Sequence, residues 1–298
     1  MGDAAKFRSL HAAAVAARNA GDFSALFDFA RELKELGEST DDAVTEGWGH
    51  YFDGVRRMQY NDADGAEIEL KHARNLFEDA GERFDAARVT ASLAALAMDI
   101  RLAASEARRL LDNALPIIGE SGDLHLFAVA LGNFAELLRA EGDYRRALQC
   151  CSDAAGIFTE LDDAPRAGWQ FANVALCYAL LRDFTPAFEA IDRAYQFLQQ
   201  DLNPRWIAWH LDVCFVMVAK LLLWEEAAKL LGLVDLFRDE VDLTRPLAMI
   251  PWFSEAIERV TRAIPKDRLD ELLQEGEKLS LEGAHLLVMT CAPESSRT

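Results

Sequence analysis

The side chains able to do chemistry in this sequence of 298 residues are five cysteines, six histidines and a large excess of carboxylates. Cys150 and Cys151 adjoin in "GDYRRALQCC", which raises a metal or redox pair. A chelating pair wants C-x-x-C spacing, and Cys150, Cys151, Cys177, Cys214 and Cys291 contain none. Histidines at 11, 50, 72, 125, 210 and 285 are scattered, with no H-x-x-x-H or H-E-x-x-H. No G-x-x-x-x-G-K-[ST] phosphate loop occurs, and no G-x-G-x-x-G follows a strand. Carboxylate pairs such as Asp162-Asp163 and Glu225-Glu226 fall at turns and helix starts, where acidic groups complement the helix dipole. The expectation is no catalytic residues, no metal, no cofactor and no enzyme.

The charge balance narrows the partners. Fifty Asp and Glu against 31 Lys and Arg give a formal charge of -19, which phosphate backbones repel. Direct nucleic-acid binding is therefore not expected, and the surface would steer a basic partner. Asp3 stands where a signal peptide would be basic, and no segment reaches the ~18–20 apolar residues of a membrane span. An odd number of cysteines without a signal points to a reducing cytoplasm.

Positioning comes from a repeat. A small or apolar anchor recurs at Leu26, Ala66, Ala107, Ala147, Ala187 and Ala227, at intervals of 40, 41, 40, 40 and 40 residues. Four positions on lie Ala30, Leu70, Leu111, Cys151, Ile191 and Leu231, and seven on lie Leu33, Ala73, Ala114, Ala154, Ala194 and Val234. Offsets of 0, 4 and 7 make one face of an α-helix. Each such helix is preceded by another that stops at Gly21-Asp22, Asn61-Asp62, Gly142-Asp143 or Arg182-Asp183. Cys151 thus stands in a leucine slot, and Cys150 points about 100° away from it. The pattern predicts an all-α solenoid of six helical hairpins, about 5–40, 41–81, 82–122, 123–163, 164–202 and 203–242. A capping pair over 243–290 and a flexible tail over 291–298 complete a single array.

The run G-D-aromatic, then small–x3–large–x2–small, resembles the tetratricopeptide (TPR) repeat, lengthened by about six residues per unit. The resemblance implies a right-handed superhelical stack. The longer unit resembles the arrays of maltose-regulator and LuxR-type signalling ATPases. "LDELLQEGEKLSLEGAHLLVM" (269–289) is similar to the segment closing many of those arrays, except that Gly283 replaces a Glu and deprives Ser280 of a capping-box carboxylate. The ATPase and DNA-binding motifs of such regulators are absent, so the chain is expected to be either free-standing or an array cut from a larger protein.

In TPR proteins the concave face is lined by set positions of each first helix, and the resemblance implies the same here. Position 2 carries Trp48, Trp169 and Trp209. Position 5 carries Tyr51 and Asp212, with Trp252 if the register extends. Position 6 carries Asn133 and Asn173, and position 12 carries Asp99 and Arg139. An asparagine at position 6 can grip an extended peptide by donating and accepting at once. The competing readings are that the tryptophans pack between hairpins and that the asparagines are solvated. The expected role is a cytoplasmic, non-catalytic scaffold or sensor that binds a protein or peptide, as the regulatory part of a bacterial signalling system. A small-molecule effector in a Trp-lined pocket is the alternative, an enzyme or enzyme subunit is the more distant one, and self-association stays open.

Overall fold

A computed structural model of the chain describes residues 2–99, 103–245 and 249–293, with Asp99 described by its backbone alone. All regular structure among these residues is helical. In order the helices are α1 Asp3–Ala20, α2 Phe23–Thr40, α3 Ala43–Gln59, α4 Ala63–Asp79, α5 Arg83–Asp99, α6 Ala104–Glu120, α7 Leu124–Ala140 and α8 Tyr144–Glu160. They continue with α9 Ala164–Leu181, α10 Phe184–Leu198, α11 Pro204–Lys220, α12 Trp224–Glu240, α13 Ile250–Ala263, α14 Lys266–Gly276 and α15 Leu281–Thr290.

Turn chemistry sets these boundaries. Residues with positive φ fall at Gly21, Asp41, Asn61, Gly81, Gly122, Gly142, Asp162, Arg182, Leu222 and Asp242, at intervals of about 20 or 40 residues. Each terminates a helix in the left-handed conformation, and the following N–H reaches back to close it, as from Asp22 to the Ala17 carbonyl and from Asp143 to that of Leu138. The residue after the turn is usually aspartate, and its carboxylate caps the next helix. Asp22 accepts from the Ala25 amide at 3.0 Å, Asp62 from Gly65 at 3.1 Å and Asp123 from Leu126 at 2.9 Å. One dipeptide therefore both ends a helix and starts the next.

The helices divide into two compact units, Met1–Ala130 and Leu131–Thr298. Unit 1 holds the hairpins α1/α2, α3/α4 and α5/α6. Its second helices bury the repeat face to 1% exposure or less at Leu26, Ala30, Leu33, Ala66, Leu70, Ala73, Ala107, Leu111 and Ala114. Unit 2 continues the register with Ala147, Cys151 and Ala154, Ala187, Ile191 and Ala194, and Ala227, Leu231 and Val234, all buried. The TPR-like helical repeat read from the sequence is the fold.

The closing segment of unit 2 contains three helices where the sequence reading expects a pair. α14 lies on α12 backbone to backbone: a Cβ on Gly232 or Gly276 would overlap the carbonyls of Leu273 or Lys229. Ser280 caps α15 by accepting from the Gly283 amide at 3.0 Å, so the cap survives without its partner carboxylate. α13 packs on α11 and α12, and α15 packs on α10, α11 and α12. Between them α11 is enclosed, with every residue from Ile207 to Ala219 buried. Of the expected tail, 294–298 lie outside the described residues.

Candidate first-helix recognition face

In unit 1 the first helices present aromatic packing. Trp48 is buried, with the His11 ring at 4.4 Å and those of Tyr51, Phe52 and Phe77 at 5.4–5.6 Å between centroids. Tyr51 is buried as well, and its hydroxyl accepts from Arg18 Nη1 at 3.4 Å. Arg88 stands over the Trp48 ring at 5.4 Å. Burial, with the charges of Arg88 and Arg18, lowers the His11 pKa, which keeps that imidazole neutral in the cluster. Asp99 lies on α5, and its side chain lies outside the described residues.

Unit 2 differs in kind. Its first helices α7, α9 and α11 bury Arg139, Gln170, Asn173, His210 and Asp212. Asn133 is half-buried on α7, beside Gly132, against whose missing side chain Gln170 of α9 is seated. Asn173 donates to Gln170 Oε1 at 3.5 Å, a weak bond along one helix. Asn173 Oδ1, Gln170 Nε2 and Arg139 Nε find no hydrogen-bond partner in the protein. Buried polar groups are nearly always paired, so three on one face mark a place with spare hydrogen-bonding capacity.

Arg139 has Glu136 of the same helix as its neighbouring carboxylate, with the thiols of Cys151 and Cys177 beside it. It is 2% exposed, its Nη1 reaches Cys151 Sγ at 3.6 Å, and its guanidinium lies 5.9 Å from the Trp252 ring. Cys151 and Cys177 hydrogen-bond to each other beside it. That bond draws the Cys177 thiol down to about 7 against the cost of burial, helped by Arg139, and pushes Cys151 well up. Cys151 is fully buried as the repeat register requires. Its thiol neighbour is Cys177 on α9, a juxtaposition only the stacking of hairpins creates.

Two tryptophans expected on the face come together in unit 2. Trp169 lies 6.3 Å from Trp209 and 5.3 Å from Trp206, which sequence reasoning did not single out. Trp169 is half-buried, while Trp209 is buried with its indole N–H unpaired in the protein. Asp212 has a structural partner set instead of an open position. It is fully buried, accepts from Arg238 Nε at 3.2 Å and from Arg245 Nε at 3.2 Å, and Arg238 also donates to the carbonyls of Leu243 and Thr244. Burial raises the Asp212 pKa and the two arginines oppose it. This knot fixes the segment that leads into α13.

α13 packs on α11 and reaches the face at Arg139. Phe253 packs on Phe215 of α11 at 4.6 Å, and Trp252 reaches Arg139 of α7. α15 docks on the other side, where His285 stacks on Tyr195 at 3.8 Å and lies 3.1 Å from Asp192 Oδ1. In unit 1 a cavity of about 450 Å³ is lined by Arg74, Glu78, Arg83, Thr90, Arg109 and Asn113, with no tryptophan.

Neither a protein-family model nor a curated protein matches the sequence. Solved structures do resemble the fold. The apo form of RapI is similar over 86% of this chain and 99% of its own, at 12% identity and a TM-score of 0.58. A Rap protein complexed with competence and sporulation factor is similar over 91% and 78%, at 15% identity and 0.60. The Rap conjugation gene regulator of plasmid pLS20, in complex with the Phr* peptide, is similar over 92% and 77%, at 12% identity and 0.57. At these identities the likeness is one of fold. No helix among the described residues is long and apolar enough to cross a membrane.

Proposed function

We propose that the chain is a non-catalytic TPR-like scaffold that binds a protein or peptide segment on the first-helix face of unit 2, which α13 reaches at Arg139 in this structure. The observation that carries the reading is the buried polar line of Arg139, Gln170 and Asn173, whose Nε, Nε2 and Oδ1 have no protein partner. A segment laid there would supply a carboxylate or carbonyl to Arg139 and an amide to Asn173, while its aromatic side chains would take the place of Trp252. Two of the similar folds were solved with a bound factor or peptide, which supports the same class of ligand here. The repeats over 1–290 would act as the regulatory part of a cytoplasmic bacterial signalling or transcription system, in line with the resemblance to signalling-ATPase arrays. The -19 charge of the chain favours partners that are basic outside the Arg139 contact.

Replacing Asn133 and Asn173 together by alanine tests the reading. Partner binding should weaken while the melting temperature falls by no more than a few degrees, since one lost buried hydrogen bond costs about 1 kcal/mol. Equal capture of the same partner by both proteins would remove the peptide reading.

A small-molecule effector is the second reading, favoured by the unit 1 cavity, whose 450 Å³ falls within the usual range of ligand sites. Its arginines suit a small anion. An Arg109→Ala change that leaves every effector response intact would rule that site out.

A further inference from the structure

One side of the α3/α4 hairpin in unit 1 gathers three side chains that share no sequence motif. Glu46 and His50 lie one helical turn apart on α3, and His72 of α4 faces them. His50 Nε2 stands 3.7 Å and His72 Nε2 3.8 Å from the same oxygen, Glu46 Oε1. One donor atom from each residue lies within 4.8 Å of the other two. The two imidazole rings are tilted by 30°, with centroids 4.2 Å apart.

The far nitrogen of His50 fixes its tautomer. Glu69 Oε2 lies 2.7 Å from His50 Nδ1 and 2.7 Å from Lys34 Nζ. A carboxylate held by a lysine accepts, so Nδ1 carries the proton and donates it. Nε2 then presents its lone pair to Glu46 and His72. A carboxylate on the outer nitrogen is how proteins orient a metal-bound imidazole. Lys34 in turn is held by Asp53 at 3.0 Å, so the supporting carboxylate is itself fixed.

We propose that Glu46, His50 and His72 form a site for a divalent transition ion of the zinc type, oriented by Glu69, with at least one coordination position open to solvent. Two imidazoles and one carboxylate suit zinc and its neighbours, whereas calcium and magnesium take oxygen donors. Tetrahedral zinc with bonds of about 2.0–2.1 Å sets its ligand atoms about 3.3 Å apart, so the two contacts to Glu46 Oε1 close by a few tenths of an ångström and the two imidazoles draw in from within 4.8 Å. Glu46 and His72 have the room, with side chains 22% and 53% exposed. Three protein ligands with a free position leave space for water or a donor atom from a partner. The ion would also tie α3 to α4. Histidines that look scattered in the sequence meet here because the hairpin turn at Asn61-Asp62 brings the two helices together.

Titrating the full chain with Zn²⁺ alone by calorimetry, and with Co²⁺ by visible absorption, tests the site. The expected result is one saturable equivalent, with the strong d–d absorption of low-coordinate cobalt. His72→Ala, on an exposed helix surface, should lower the affinity by about 100-fold or more without changing the circular dichroism. Glu69→Gln should lower it by about 10–100-fold, the usual effect of losing an outer-shell partner. Absence of saturable binding would overturn the proposal. So would binding that survives both His72→Ala and Glu46→Gln, or that is lost when the half-buried Cys150 and Cys291 are alkylated.

Discussion

The two units build their first-helix faces from the same register and opposite materials. Unit 1 places Trp48, Tyr51 and Phe52 there, and its buried polar residues among those described are Thr45 and Asp53. Unit 2 buries Arg139, Gln170, Asn173, His210, Asp212, Arg238 and His285. The aromatic face is held by ring packing, with only His11 Nε2 and Arg88 Nε around Trp48 lacking hydrogen-bond partners among the described residues. A polar face is costly to bury unless something supplies partners, and in unit 2 Leu243, Thr244 and Arg245 supply part of what is needed. Asp212 is paired completely, whereas Gln170 and Asn173 are not. The difference separates polar groups that lock the closing helices from those left for a ligand.

Asp212→Ala is expected to break this arrangement most severely. It strands Arg238 and Arg245 and should cost about 3–5 kcal/mol, read as a loss of unit 2 protection in hydrogen exchange. The corresponding position in unit 1 is Tyr51, where Tyr51→Phe should cost no more than about 1 kcal/mol. If both changes cost the same, the contrast between the faces is false.

Acid should find unit 2 next. Burial lowers the His210 pKa from 6.5 to about 3, so the unfolded chain takes up a proton below pH 6.5 that the folded chain refuses. The associated stability is complete above pH 6.5 and falls by about 1.4 kcal/mol per pH unit as the pH drops toward 3. His210→Phe should flatten that slope in unfolding curves between pH 7 and 5. An unchanged slope would place the acid sensitivity elsewhere.

Gln170→Leu sharpens the comparison with a smaller change. Removing a buried amide whose Nε2 is unpaired and whose Oε1 holds only the weak bond from Asn173 should change stability by no more than about 1 kcal/mol in either direction, while segment binding is lost. A large destabilisation would make Gln170 a packing residue. The smallest effect lies in the turns, where unit 2 places Leu222 at φ 66° and unit 1 uses glycine, Asp or Asn at its described left-handed positions. Leu222→Gly should gain roughly 0.5–1 kcal/mol in a melting experiment.

The repeat was legible because it is written locally. Anchors 40 residues apart and aspartates after left-handed turns depend only on neighbours in sequence, and Cys151 could be placed in the core for that reason. The closing helices were not legible in the same way. α15 meets α10 through His285 and Asp192, a contact no local period encodes, so a pair was expected where three helices fold back. The same limit applies to the candidate face. The register put Asn173 and Asp212 on first helices, but nothing in it told that α13 would reach Arg139 or that two arginines would close on Asp212. The Cys151–Cys177 and Glu46–His50–His72 groupings need the hairpins stacked before they exist.

The most direct test uses a labelled peptide with the sequence of residues 249–263, followed by fluorescence anisotropy. The receiving chain carries Trp252→Ala and Phe253→Ala, so that its own α13 no longer reaches Arg139. Saturable one-to-one binding, weakened by adding Arg139→Ala, is the predicted result. Absence of binding to the folded variant, or binding indifferent to Arg139, would contradict a segment-binding face in unit 2.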